Sequence, residues 1–157
     1  MTNASKFGIC DDKPHQRAYI DEIDGQKWTA VVQNLHRRKI VFTAIDNCIE
    51  FNKANGNKER RCEGMLTFDD TIVFIEIKER KGDAKTWAKK ADDQLRNSIR
   101  IIQEKVNLDL YPVKKAYICN RNQINLNKSH AVRSKRFQQE TGYILRVEKE
   151  LQLINGI

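Results

Sequence analysis

The chain has 157 residues and a formal charge of +8, from 29 Lys+Arg against 21 Asp+Glu. With 39% apolar and 32% charged residues, seven Gly and two Pro, it reads as globular and falls outside the disordered and fibrous classes. Its longest aliphatic and aromatic run, residues 72–75, is too short to cross a bilayer, and residues 1–10 lack the apolar stretch of a signal peptide, so one domain, a cytoplasmic location and no membrane are expected.

Residues 14–24 read as a short helix ended by Gly25. Residues 27–33 and 39–45 are β-prone runs joined by a polar connection, the pattern of an antiparallel hairpin. Asp46 is placed as an N-cap and Gly56 as the residue after the last turn, enclosing a helix over 47–55. Residues 62–68 and 71–78 are strands separated by the two-residue turn Asp69-Asp70. A break at Lys81, Gly82 and Asp83 follows. From Ala84, the residues Trp87, Ala88, Ala91, Leu95, Ile99, Ile102 and Val106 recur at helical spacing, the strongest amphipathic pattern in the chain. Residues 113–119 return as a strand, and strand, long helix, strand is a βαβ crossover with parallel strands. A helix over 129–140 closed by Gly142 and a last strand over 143–153 complete the chain. Cys10, Cys48, Cys62 and Cys119 form no C-x-x-C pair and have no histidine at zinc-ligand spacing, so they are expected to be small core residues in a reducing compartment.

With the turn at Asp69-Asp70, Glu63 lies directly opposite Glu76. Alternation puts Ile72, Phe74, Glu76 and Lys78 on one face of the second strand and Val73, Ile75 and Ile77 on the other. Two facing carboxylates repel unless a cation lies between them, and a hard divalent ion is the natural occupant. Lys78, one step along the same face, points into that site. Gln94 stands at the border of the long helix's apolar face, where its amide can reach the same end of the sheet.

Positive charge is unevenly placed. Residues 110–139 hold no acid and seven Lys and Arg, which leaves the rest of the chain nearly neutral. This segment, with the lysines that open the long helix, predicts a surface for a polyanion. Its candidate phosphate contacts are Lys81, Lys85, Lys89, Lys114, Lys128, Arg133, Lys135 and Arg136; such contacts position a nucleic acid without reading its sequence. His130 is a weaker candidate.

Arg61-Cys62-Glu63-Gly64, Phe74-Ile75-Glu76-Ile77-Lys78 and Asp93-Gln94-Leu95, in that order and context, resemble the motifs of the PD-(D/E)xK, or restriction endonuclease-like, nuclease superfamily. The acidic-x-Lys tripeptide is common by itself; Glu76-Ile77-Lys78 ends an apolar strand, faces a carboxylate and precedes a crossover helix. The match covers residues 46–119, roughly half of the chain. The resemblance implies an α/β fold with a restriction endonuclease-like core: a mixed central sheet, an antiparallel hairpin plus a βαβ crossover, and flanking helices. It further implies a metal-dependent hydrolase of DNA phosphodiester bonds, using Mg²⁺ or Mn²⁺. Glu63 and Glu76 would be metal ligands, Ile77 would offer its backbone carbonyl, Lys78 would act on the attacking water, and Glu50 would be an additional carboxylate. Glu63 stands where the superfamily usually has Asp. Cutting both strands calls for two such sites, hence a homodimer. Two other readings are an inactive nuclease-fold binding module of accessory or immunity type, and an RNA-directed nuclease or RNA-binding domain. The sparse aromatics, 8% overall, offer the latter no stacking platform.

Overall fold

The computed structural model describes residues 1–12, 16–46, 48, 59–79, 84–122 and 128–153, so the helix expected over 47–55 lies outside the described residues. The first half of the chain forms β1 (Lys6–Cys10), β2 (Tyr19–Asp21), β3 (Ala30–Gln33), β4 (Val41–Ala44), β5 (Gly64–Phe68) and β6 (Thr71–Ile77). The second half forms α1 (Ala84–Gln103), β7 (Val113–Cys119), α2 (Lys128–Thr141), β8 (Ile144–Glu148) and β9 (Glu150–Gln152), with a short 3-10 turn at Leu108–Leu110 before β7. These elements build an α/β fold with two mixed sheets and two helices, in the strand orders β4-β5-β6-β7-β8 and β2-β1-β3-β9.

The larger sheet grows from the β5–β6 hairpin. Asp69 adopts φ 47°, a left-handed conformation that Asp tolerates, and with Asp70 reverses the chain in two residues. The antiparallel register runs from Phe68↔Thr71 to Gly64↔Ile75, which makes Glu63 and Glu76 the next facing pair. Beyond it, α1 crosses over to β7, which lies parallel to β6, and α2 leads to β8, parallel to β7. Gly142 ends α2 at φ 78°, a conformation that costs glycine little.

The alternating faces of β6 join two cores. Ile72 and Phe74 pack with Trp87, Ala91, Leu95 and Ile99 of α1 and with Phe137 of α2. Val73, Ile75 and Ile77 pack against Phe7, Ile9, Val32 and Leu151 of the second sheet. The larger sheet is thus covered by helices on one side and by a sheet on the other, and all seven residues of β6 are buried. That burial on both faces accounts for the unbroken apolar run before Glu76.

Three expectations are corrected. Residues 19–21 form β2 rather than part of a helix: they pair with β1, and Asp21 then closes the following turn by accepting from the backbone N–H groups of Ile23 and Asp24 and from Trp28 Nε1. The runs over 27–33 and 39–45 do contain strands, but β3 and β4 belong to different sheets. Asn34 sets this crossing. Its buried amide donates to the carbonyls of Ala4 and Arg38 and accepts from the Arg38 N–H, a set of bonds that a two-stranded hairpin would not supply. The final run is two strands: β8 extends the larger sheet and β9 pairs parallel with β3 in the other. Cys10, Cys62 and Cys119 are buried and free as expected, whereas Cys48 is exposed.

Gly8 is required by close approach. A Cβ there would lie 1.9 Å from Trp28 Cγ, and Trp28 is buried with its indole N–H bonded to Asp21 at 2.9 Å. Gly8→Ala should therefore destabilise the protein by roughly 3 kcal/mol or more, an overpacking penalty read as a lower urea midpoint. An unchanged midpoint would mean that the indole has another place to go.

Candidate active site

β6, β7 and β8 run parallel, and the side chains with chemical potential gather at the C-terminal end of β6. Glu76 occupies the last helix-facing position within the strand, opposite Ile118 of β7. The Lys78 N–H continues the ladder by donating to the Cys119 carbonyl at 2.8 Å, which fixes the backbone under the lysine. Ile77 between them buries its side chain against the second sheet, so only its backbone is available to this site.

Glu76 is fully buried, and neither carboxylate oxygen accepts a well-aligned hydrogen bond among the described residues. Its Oε1 forms an ion pair with Lys78 Nζ. Burial pushes the Glu76 carboxyl up to about 8; Lys78 pulls it down, while the neighbouring charges of Glu63 and Asp46 raise it further. The same couplings place Glu63, Asp46 and Lys78 in one electrostatic unit around this carboxyl. Burial also pushes the adjacent Cys62 thiol up, with Glu76 and Glu63 adding to the rise, so Cys62 is held as a neutral thiol and not as a thiolate nucleophile.

Lys78 is 16% exposed and its Nζ also donates to Gln94 Oε1 at 2.7 Å. The other end of the Gln94 amide donates to the Arg61 carbonyl at 2.9 Å. Only this orientation of the amide suits both partners, since an ammonium needs an acceptor and a carbonyl needs a donor. Gln94 reaches the site because α1 crosses directly over β6, with Leu95 and Ala91 in the core beside it.

Glu76, Lys78 and Gln94 are therefore joined by contacts, and Glu63 comes next after Gly64 in the register, near enough for its charge to raise the Glu76 carboxyl. Glu50 lies outside the described residues; Asp46, read from sequence only as an N-cap, adds a smaller like-charge push on the Glu76 carboxyl. Among the described residues no group of three or more His, Cys, Asp and Glu side chains is arranged to hold a metal ion.

The basic residues are distributed differently from the expectation. Lys114 pairs with Ile72, four positions from the Glu76 level, about 13 Å along the strand. Arg133 lies 3.8 Å from Asp92, and Arg136 donates to Glu140 at 2.8 Å, so both have carboxylate partners on the helix pair. Arg96 completes this network between Asp92 and Glu140, with its guanidinium over the Phe137 ring. Lys89 and Lys135 are exposed, Lys81 lies outside the described residues, and so do the side chains of Lys85 and Lys128. His130 is half-buried; burial and Arg133 hold its imidazole below the ordinary value and favour the neutral form.

Asn97 and Ser98 were not foreseen. Asn97 Nδ2 donates to the Arg60 carbonyl, and the buried Ser98 hydroxyl accepts from the Cys62 N–H. A signal for Ser98 did exist: a serine on the stripe through Ala91, Leu95 and Ile102 needs a polar partner when buried.

Fold and site together define an α/β protein with a buried carboxylate-lysine pair at the end of a parallel strand. No family model matches the chain, and neither does any curated protein or solved structure.

Proposed function

We propose that the protein is a divalent-metal-dependent nuclease of PD-(D/E)xK type that hydrolyses DNA phosphodiester bonds, with the larger sheet and α1 as a restriction endonuclease-like core. The observation that carries this reading is the Glu76 carboxyl, fully buried, ion-paired with Lys78, within the influence of Glu63, and without a well-aligned hydrogen bond among the described residues. A carboxyl buried in this way favours its proton in the metal-free protein and becomes an oxygen ligand when a cation displaces that proton. Mg²⁺ or Mn²⁺ suits the donor set, because hard cations take oxygen ligands and Mg²⁺ needs only one or two carboxylates beside water and substrate phosphate. Glu76 and Glu63 would hold the ion, with the Ile77 carbonyl as a further oxygen. Bound there, it would supply Lewis-acid polarisation of a phosphoryl oxygen.

The chain's own groups do the rest. Lys78, held by Gln94, orients the attacking water and stabilises the negative charge that builds on the phosphoryl group. Glu63 stands where the superfamily usually has Asp, with one methylene more, just outside the β5 ladder. The net charge of +8, with exposed Lys89, Lys90 and Lys135, suits a polyanionic substrate.

Incubation of the purified protein with supercoiled plasmid tests the reading. Nicking or linearisation is expected with Mg²⁺ or Mn²⁺ and none with EDTA. Plasmid left intact by either metal, with DNA binding that still weakens steeply with salt, would replace the enzyme by a binding module.

A further inference from the structure

Residues 59–62 lead into Glu63 without regular secondary structure, and Arg61 and Cys62 within them are buried. A buried loop must satisfy its backbone polar groups through partners other than a ladder. Here α1 supplies them in sequence. The Arg100 guanidinium binds both Glu59 carboxylate oxygens at 2.6 and 2.7 Å. Asn97 Nδ2 donates to the Arg60 carbonyl at 3.1 Å, Gln94 Nε2 donates to the Arg61 carbonyl at 2.9 Å, and Ser98 Oγ accepts from the Cys62 N–H at 2.8 Å. The Glu63 carbonyl then accepts from the Ile45 N–H at 3.0 Å. Residues 94, 97 and 98 share one helical face, so a single rigid edge of α1 grips the whole strap. The backbone is thereby pinned on both sides of Glu63, by α1 before it and by the chain leaving β4 after it.

We infer that residues 59–62 are a positioning strap, held by Gln94, Asn97 and Ser98, that sets Glu63 as a metal ligand, and that Gln94 couples this strap to Lys78 through its one amide. The inference rests on the metal-dependent reading above and adds to it how the site is assembled. A helix and a sheet each place one half of the site, Lys78 coming from β6 and Glu63 from the strap. Gln94 bonds to both halves, to Lys78 Nζ and to the Arg61 carbonyl, which couples their positions. Asn97 and Ser98 touch no reacting group; they are positioning residues, and their loss should move Glu63 without touching Glu76 or Lys78.

The test uses the whole protein and Mn²⁺ alone, without DNA. Calorimetric titration is made on the wild type, Ser98→Ala and Asn97→Leu, together with hydrogen exchange of the metal-free proteins. Loss of such a supporting bond, one step removed from the ligand, should weaken Mn²⁺ binding by about 10-fold, the lower end of the cost of losing a bond to a ligand itself. Exchange should speed up at the amides of residues 61–64, while protection in β6 and β7 stays at the wild-type level. Ser98 is fully buried, so its variant is checked for folding first; Asn97 is half-buried, and Asn97→Leu keeps the test open. Wild-type Mn²⁺ affinity in folded Asn97→Leu and Ser98→Ala would overturn the positioning role while leaving the metal site standing. Absence of Mn²⁺ binding by the wild type itself would overturn the metal reading and this inference with it.

Discussion

Glu76→Gln should make the metal-free protein more stable at pH 7 while abolishing the stabilisation by Mg²⁺ and the DNA cleavage expected of the proposed nuclease. The wild-type carboxyl is fully buried, and burial, opposed by Lys78 and reinforced by Glu63 and Asp46, pushes it from an ordinary 4.5 up to about 8. A group whose folded value is raised contributes its full stability below the unfolded value, and that stability is lost as pH rises through the folded value. The difference between Glu76→Gln and wild type should thus be near zero at pH 4, grow between pH 4.5 and 8, and level off above. At pH 7 it amounts to roughly 3 kcal/mol, read as a higher melting temperature by calorimetry. On the proposed metal site Mg²⁺ would bind the folded state alone, so it should raise the melting temperature of the wild type and leave the variant unchanged. A variant less stable than wild type throughout this range would show that the carboxylate holds the fold together, and the case for a site built at the expense of stability would fall.

The residues carrying this effect were legible in the sequence because strand geometry leaves so little freedom. Once Asp69-Asp70 is a two-residue turn, Glu63 must face Glu76 and Lys78 must share their side of the sheet. The crossover was equally constrained. Six buried positions from Trp87 to Ile102 recur on one face of α1, and a helix between two strands of one sheet makes them parallel. What local pattern cannot specify is which strand a β-prone run will join. The runs that became β3 and β4 have ordinary hairpin spacing; the Asn34 amide in the connection between them bonds to Arg38 and also to the Ala4 carbonyl, a distant partner that no local pattern reveals. For the same reason the last run reads as one strand although it serves both sheets, β8 beside β7 and β9 beside β3.

Charge was the least transferable signal. An acid-free segment in sequence is not an acid-free surface in space: Asp92 of α1 meets Arg133 of α2, while Glu140 just past the segment's end meets Arg136. Lys114 belongs to the segment but enters β7 at the end remote from Glu76. Conversely, the acid coupled to Glu76 beside Glu63 is Asp46, whose role depends on where β4 ends, and that depends on pairing no local pattern reveals. The phosphate contacts of the proposed nuclease are accordingly better sought at exposed Lys89, Lys90 and Lys135 than at the paired arginines.

Lys78→Met should separate binding of the metal from the chemistry. Lys78 forms an ion pair with Glu76 Oε1, so the ammonium and a divalent cation compete for the same carboxylate. Removing the ammonium takes away the charge that pulls the Glu76 carboxyl down, so a cation no longer competes with Lys78 but must displace a proton, and above pH 8 it should bind about as tightly as in the wild type. Cleavage should nevertheless fall by about 10²–10³-fold, the usual cost of removing one donor aimed at charge that develops in the transition state. The Gln94 amide keeps its bond to the Arg61 carbonyl, so the strap and Glu63 stay in place. Calorimetric Mn²⁺ titration and plasmid cleavage on the same preparation give the two readouts. Tight metal binding with lost cleavage assigns Lys78 to the reacting phosphate. Loss of both together would make it a structural counter-ion for Glu76 and take it out of the chemistry.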